Sequence, residues 1–438
     1  MKKLNVVRGL RISSQALRIQ AVASQLSMPI HWFSELALDF GVSDPSEIGS
    51  SLDCILITSS ESDPSADVVE LWRLAARAYH IAKMDDDAHR CLGEAAEALV
   101  AQADAIQGSA ILSSHFLSNA IAQLHNIPGK KDRRTELRHR LIDVQGKIIE
   151  EMSSFTQELD LREIYRNAET AVSNGALLEK LFVFADLSRS PDPKSIADEA
   201  IVAIRKYPLS TLFGGTHIDR EGKVIHRSLG NSFGDSDNKS AIQQQILQSE
   251  SLRRKLVASG RIGAAMHVII QKHFISDDVL VVLLKYSPFI PSDILYTFAR
   301  GFARFFQGDF VSATYILTPL LENSLRHILK LNGHDVTKFD DVNQTQEDRS
   351  ISSLFLQMRQ DLDNVLTPAI AADIERVFLV KPGPYIRHSV AHGLMNDGDP
   401  YGADAIYACW LIFRICLLPL VRHFPRLQAD LEGSELCR

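Results

Sequence analysis

The chain has 438 residues, 45% of them hydrophobic and 23% charged, the balance of a soluble globular protein with room for two or three domains. Its net charge of -7 excludes a broad basic coat for gripping nucleic acid, so any such contact has to come from a local cluster. Five cysteines, Cys54, Cys91, Cys409, Cys416 and Cys437, are too few and too scattered for a disulfide framework and contain no C-x-x-C pair, which points to the reducing cytoplasm.

From Met1 to Ser34 there is no acidic residue, while Lys2, Lys3, Arg8, Arg11 and Arg18 are present. The segment reads as a basic amphipathic helix at the edge of the fold rather than a transit peptide, and without an apolar run and cleavage site no secretory leader is expected. Residues 1–60 form an N-terminal helical segment in which Asp44-Pro45-Ser46-Glu47 is a helix-start signal. After a Ser/Asp/Pro linker, Ser59 to Ala66, the residues Trp72, Ala75, Ala76 and Tyr79 recur at helical spacing, and Leu92, Ala95, Ala96 and Leu99 repeat the pattern beyond the Met84-Asp85-Asp86-Asp87 turn. Two further helices, about 108–125 and 134–152, flank Ile127 to Asp132. Residues 61–205 thus read as a helical-repeat-like domain of the tetratricopeptide kind, although no fixed period is present. The basic run Lys130, Lys131, Arg133, Arg134 is better read as a solvated turn than as an RNA contact.

Helices continue to Arg205, broken at Ser190-Pro191-Asp192-Pro193. Residues 206–232 form a β-hairpin connector, with β-like runs Leu209 to Ile218 and Val224 to Arg227 around the Asp219-Arg220-Glu221-Gly222 turn. His217 and His226 flank that turn and face each other as a surface pair with no third metal ligand. Linking helices occupy 233–285, and a C-terminal helical domain fills 286–438. In it, Ser292-Asp293 caps a helix to about 306 carrying Phe298, Phe302, Phe305 and Phe306, and a second helix, 310–331, carries Ile316, Leu320, Leu321, Leu325 and Ile328. On the latter, Glu322 and Arg326 stand four apart, the spacing of a helix ion pair. A polar loop, Gly333 to Ser350, leads to helices near 351–364 and 368–380, and a long helix over 403–424 closes the chain. Its apolar run Ala405 to Val421 is interrupted by Arg414 and ended by Pro419, so it reads as a core helix and not a membrane span.

Chemistry concentrates at Arg387-His388-Ser389-Val390-Ala391-His392-Gly393. Pro382-Gly383-Pro384 cannot continue a helix, and Tyr385 to Met395 reads as a short helix ended by Asn396-Asp397-Gly398-Asp399-Pro400. Ile386, Val390 and Leu394 form its apolar stripe, leaving His388 and His392 together on a face directed away from it. A helix start also offers free backbone N–H groups to a phosphate. No phosphate-loop motif, dinucleotide fingerprint or nucleophile elbow occurs elsewhere.

Arg387, then four residues, then His392, with a polar residue directly after the arginine, resembles the R-x4-6-H signature of the HEPN superfamily. The stretch from about 286 to 425 is similar to an uncharacterised bacterial HEPN-like group, through its proline-initiated helix, the Leu317 to Arg326 helix and the closing Arg387 to Leu394 segment. The resemblance implies a four- or five-helix bundle that dimerises so that two motif helices meet, and RNA cleavage that needs neither metal nor cofactor. It implies that Arg387 and His392 carry activity, that His388 stands where the family has Asn, Asp or His, and that Glu322 and Arg326 support the site.

The chemistry is coherent in its own right. Cutting RNA requires a base for the ribose 2′-OH, a cation on the phosphate and an acid for the 5′-oxygen. Histidine titrates near neutrality and arginine grips phosphate in two-pronged fashion. Arg387 and His392 would sit about 140° apart around one ideal helix, so two copies across a twofold axis converge better than one. The expected function is an endoribonuclease in a toxin or antiviral-defence role, leaving 2′,3′-cyclic phosphate and 5′-OH ends, with the N-terminal helices as a sensor or antitoxin-binding region. The alternative is a non-catalytic RNA-binding or scaffolding protein whose helical region binds a protein partner.

Overall fold

The computed structural model describes residues 27–59, 66–152, 158–207, 214–219, 221–228, 230 and 238–433. The chain is mainly helical with small β-hairpins, and it divides into two compact units, one of residues 1–155 with Ile218–Val224 and the other of 156–217 with 225–438.

In the first unit, α1 (Ser27–Asp39), α2 (Pro45–Ser59), α3 (Ala66–Ile81), α4 (Asp85–Ala105), α5 (Ala110–Gln123), α6 (Lys131–Gln145) and the short α7 (Ile148–Glu151) follow one another along the chain. From α2 to α6 each helix packs chiefly on its chain neighbours, the layered arrangement expected from the paired apolar stripes. Trp72, Ala75, Tyr79, Ala95 and Leu99 all fall in one core with Ile30, Ile48 and Leu52, so residues 27–59 belong to this layer rather than to a separate segment. Within the basic run, Arg133 pairs with Glu97 and Glu136, each at 2.7 Å, and Arg134 Nη1 lies 2.9 Å from His125 Nδ1. Most of the acid-free stretch at the start lies outside the described residues.

The second unit holds α8 (Arg162–Ser173), α9 (Leu177–Ala185), α10 (Pro193–Lys206), α11 (Lys239–Leu256), α12 (Gly263–Lys272), α13 (Asp277–Leu284), α14 (Leu295–Phe306), α15 (Phe310–Leu331), α16 (Ile351–Gln357), α17 (Arg359–Leu366), α18 (Pro368–Phe378), α19 (Ile386–Ala391), α20 (Ala403–Leu417) and α21 (Phe424–Gly433). The strands β1 (Gly215–Ile218) and β2 (Val224–Ser228) pair as the expected hairpin; the expected strand residues 209–213 lie outside the described ones.

Three expectations are corrected here. The boundary near 205 moves to about 155, because α9 belongs to the C-terminal core: Phe184 packs in tilted and edge-on contact with Phe305, Phe306 and Phe413, and Trp410 Nε1 donates to its carbonyl at 2.8 Å. The helices of 233–285 likewise contribute Val257, Ile269, Leu280 and Leu283 to that core and are not mere linkers. The Gly333 to Ser350 loop contains a second antiparallel hairpin, β3 (Thr337–Asp340) with β4 (Thr345–Asp348), Phe339 opposite Gln346. Phe339 is the single apolar residue in its strands, so it carries no hydrophobic alternation to read, and the Asp340 carboxylate closes its turn by accepting from the Val342 and Asn343 amides.

Helix α20 is the centre of this unit, its residues buried from Tyr407 to Leu417. The stretch from Ala403 to Gly433 is apolar and long enough to cross a bilayer, but 72% of its apolar window is buried within the fold, as a core helix requires. Arg414 does not interrupt the core by facing solvent. It is 8% exposed, and its Nη1 donates to the Ala185 and Ser188 carbonyls at 3.0 and 2.7 Å and to Asp186 at 2.9 Å. A second polar clamp joins α11, α18 and α20: Arg253 Nη2 donates to Glu250, Asp373 and the Tyr407 hydroxyl, which donates in turn to Asp373 at 2.6 Å. Paired and hydrogen-bonded in this way, the buried charges fix the mutual placement of the three helices.

Candidate functional site

The motif helix α19 is set by the chain on either side of it. Pro382-Gly383-Pro384 delivers Tyr385 in a left-handed conformation, φ 50° and ψ 38°, at the helix start. Gly383 is needed there because a Cβ would lie 2.8 and 2.9 Å from the Val380 and Arg376 carbonyl oxygens. Ile386, 3% exposed, anchors the helix in the core against α15 and α18, and Val390 packs beside it. The helix stops at Ala391, four residues short of the expected end. Gly393 adopts φ 63°, its N–H donates to the Val390 carbonyl and the Leu394 N–H to the Ser389 carbonyl at 2.8 Å. That is the Schellman closure, for which a glycine at this position is the standard residue. Leu394 is consequently thrown off the apolar stripe and is 60% exposed. With six residues the helix has too few aligned peptides to make its start a strong anion site.

The five expected site residues fall into two linked groups. In one, Glu322 of α15 bridges two arginines: its Oε1 accepts from Arg326 Nη1 at 2.9 Å and its Oε2 from Arg387 Nη2 at 3.4 Å. Arg326 is further fixed by donating to the Arg349 carbonyl at 3.1 Å, which ties the support helix to the end of the β3–β4 hairpin. In the other group the His388 and His392 rings lie 4.3 Å apart, on the common face expected from their spacing. Arg387 and His388 are half-buried, whereas His392, at the cap of the helix, is exposed.

Two contributors went unnoticed in the sequence. Tyr385 stacks on His388 with ring centroids 4.5 Å apart and planes 24° from parallel, and the Lys381 ammonium lies 4.7 Å above the Tyr385 ring. The signal was present as aromatic residues three apart and a lysine four before the tyrosine, spacings that bring side chains together across such a turn. Desolvation, then the positive charges of His392, Lys381 and Arg387, hold the His388 pKa below the ordinary histidine value. The His388 imidazole is therefore neutral at neutral pH and able to accept a proton.

The His217 and His226 rings lie 5.8 Å apart across the first hairpin, as expected. Among the described residues no three His, Cys, Asp or Glu side chains converge in a way that could hold a metal ion. Comparison of the chain with family models, curated proteins and solved structures yields no match.

Proposed function

We propose that the protein is a metal-independent endoribonuclease of the HEPN type, acting in the cytoplasm in a toxin or antiviral-defence role. The observation that carries the reading is the His388–His392 pair on the helix where the adjacent Arg387 is held by Glu322, itself paired with Arg326. In this reading two chains associate through their C-terminal units and surround one phosphodiester with both sets of side chains. A neutral imidazole takes the 2′-OH proton, the 2′-oxygen attacks phosphorus, Arg387 holds the non-bridging oxygens, and a protonated His392 of the partner subunit gives its proton to the departing 5′-oxygen. The P–O5′ bond breaks, and the products are a 2′,3′-cyclic phosphate and a 5′-OH. The N-terminal unit serves as a sensor or antitoxin-binding region.

The test is RNA cleavage in EDTA by the full chain beside Arg387→Ala and His392→Ala, together with growth on overexpression. Loss of cleavage and of growth arrest in both variants is expected, by about 100-fold or more in rate. The second reading, a non-catalytic RNA binder or scaffold, is favoured by one feature, the Glu322 carboxylate that competes with phosphate for Arg387. It takes over if all three proteins leave RNA intact and cells growing.

A further inference from the structure

A cavity of about 510 Å³ in the second unit lies between α11, the first hairpin and the Lys381–Pro384 loop that feeds the motif helix. Among the described residues its wall carries three cations, Arg254, Lys255 and Lys381, against one carboxylate, Asp404. Arg254 is 2% exposed; its Nε donates to Asp404 at 2.7 Å, and its Nη1 has no hydrogen-bond partner. A guanidinium this buried, with one donor unmet, is costly unless an anion completes its surroundings. Asp404 is itself one-third exposed and supplies only part of that charge. The other described polar residues of the wall are the amides of three glutamines of α11, three serine hydroxyls and two imidazoles. His217 and His226 line the same space, with their rings tilted 50° to each other. Burial and mutual proximity hold the His217 pKa below the ordinary value, so that ring is a flat, neutral surface at neutral pH.

We infer that this cavity is a binding site for a small phosphorylated molecule of nucleotide size, its phosphate held by Arg254, Lys255 and Lys381 and its planar ring laid against His217 and His226. The volume falls in the range of small-molecule pockets, and the separation of a cationic wall from an imidazole-lined wall matches a ligand with one anionic and one aromatic end. Binding also reaches the motif. Lys381 stands over Tyr385, and Tyr385 is stacked on His388, so a phosphate that draws Lys381 away changes the surroundings of the His388 ring.

The experiment is calorimetric titration of the full chain with adenosine 5′-monophosphate, adenosine, inorganic phosphate and the dinucleotide ApA. The monophosphate is expected to bind at least tenfold tighter than adenosine and tighter than inorganic phosphate. Lys255→Ala with Lys381→Ala, both at exposed positions, is expected to remove that tenfold gain with the thermal midpoint unchanged; Arg254→Gln should do the same if it folds. Preference for ApA over the monophosphate would keep the phosphate site and assign it to a nucleic-acid strand rather than a free nucleotide. Equal affinity for adenosine and its monophosphate, or full affinity in the double lysine variant, would overturn the assignment. An unchanged His388 ring resonance on saturation would overturn the link to the motif. Binding is read directly, so the result is independent of whether Arg387 and His392 cut RNA.

Discussion

Glu322 and Arg387 are sixty-five residues apart in the chain, and their side chains meet at 3.4 Å. The same carboxylate holds Arg326 at 2.9 Å, so one acidic group on α15 fixes the direction of the guanidinium on α19 while the β3–β4 hairpin end fixes Arg326. A carboxylate placed in this way takes up part of the arginine's hydrogen-bonding capacity for orientation, and in the proposed site the exposed remainder would face the phosphate.

It follows that Glu322→Gln, which keeps the shape and removes the charge, acts through Arg387 rather than on the reacting atoms. Cleavage by this variant is expected to fall about 10- to 100-fold, chiefly in kcat, because a displaced guanidinium loses alignment with the phosphate in the transition state. Glu322→Asp should recover part of the loss. Steady-state cleavage of a short labelled RNA separates the two effects, and an unchanged kcat in Glu322→Gln would remove Glu322 from the site.

The composite character of the proposed site yields a complementation test. Arg387→Ala and His392→Ala, each inactive alone, are expected to regain measurable cleavage when co-expressed, since a mixed dimer retains one intact Arg387 and one intact His392 around the shared phosphate. Sedimentation of the wild-type chain at micromolar concentration should give a dimer. A strictly monomeric protein, or mixed variants as inactive as each alone, would rule out the shared site.

Arg414 offers a stability prediction independent of function. Its Nη1 serves two carbonyls on the α9 end and Asp186, all from a side chain 8% exposed. Arg414→Leu leaves those carbonyls unmet in the interior and should cost about 3 kcal/mol in urea unfolding of the full chain. Arg414→Lys, a charge with fewer and less rigid donors, should recover only part of it. A loss under about 0.5 kcal/mol for the leucine variant would show that α9 is held by its phenylalanine contacts alone.

Those contacts mark where the sequence was readable and where it was not. The phenylalanines of α14, the leucines of α15 and the alanine-rich pairs of α3 and α4 declare themselves because a buried helix face repeats every three to four residues. Proline stops were equally legible at Pro382-Gly383-Pro384, just before α19, and at Pro419, just after α20. Long-range pairings leave no such trace. Nothing near Arg414 announces the α9 carbonyls some 226 residues earlier, and nothing near Arg254 announces Asp404. At the motif, the shared face of His388 and His392 followed from spacing, but Gly393 read as part of a signature when its physical role is to end the helix. Tyr385 escaped notice because a left-handed φ at a tyrosine is set by its surroundings and not by its own preference.

Burial first, and then the charges of His392, Lys381 and Arg387, disfavour protonation of His388, with Glu322 reaching the same helix only through Arg387. The folded chain therefore takes up the His388 proton at lower pH than the unfolded one, whose histidines titrate near ~6.5. Any stability contributed by the neutral ring is present above that value and is lost as pH falls through the lowered folded one. NMR titration of the labelled histidines should place His388 below the ordinary range in the wild type and move it upward in Lys381→Met and in His392→Gln, each of which removes one of the opposing charges. If His388 serves as the base, the acid limb of the cleavage profile moves upward with it in Lys381→Met. A shifted ring with an unmoved acid limb would assign the proton transfer to His392 in both roles.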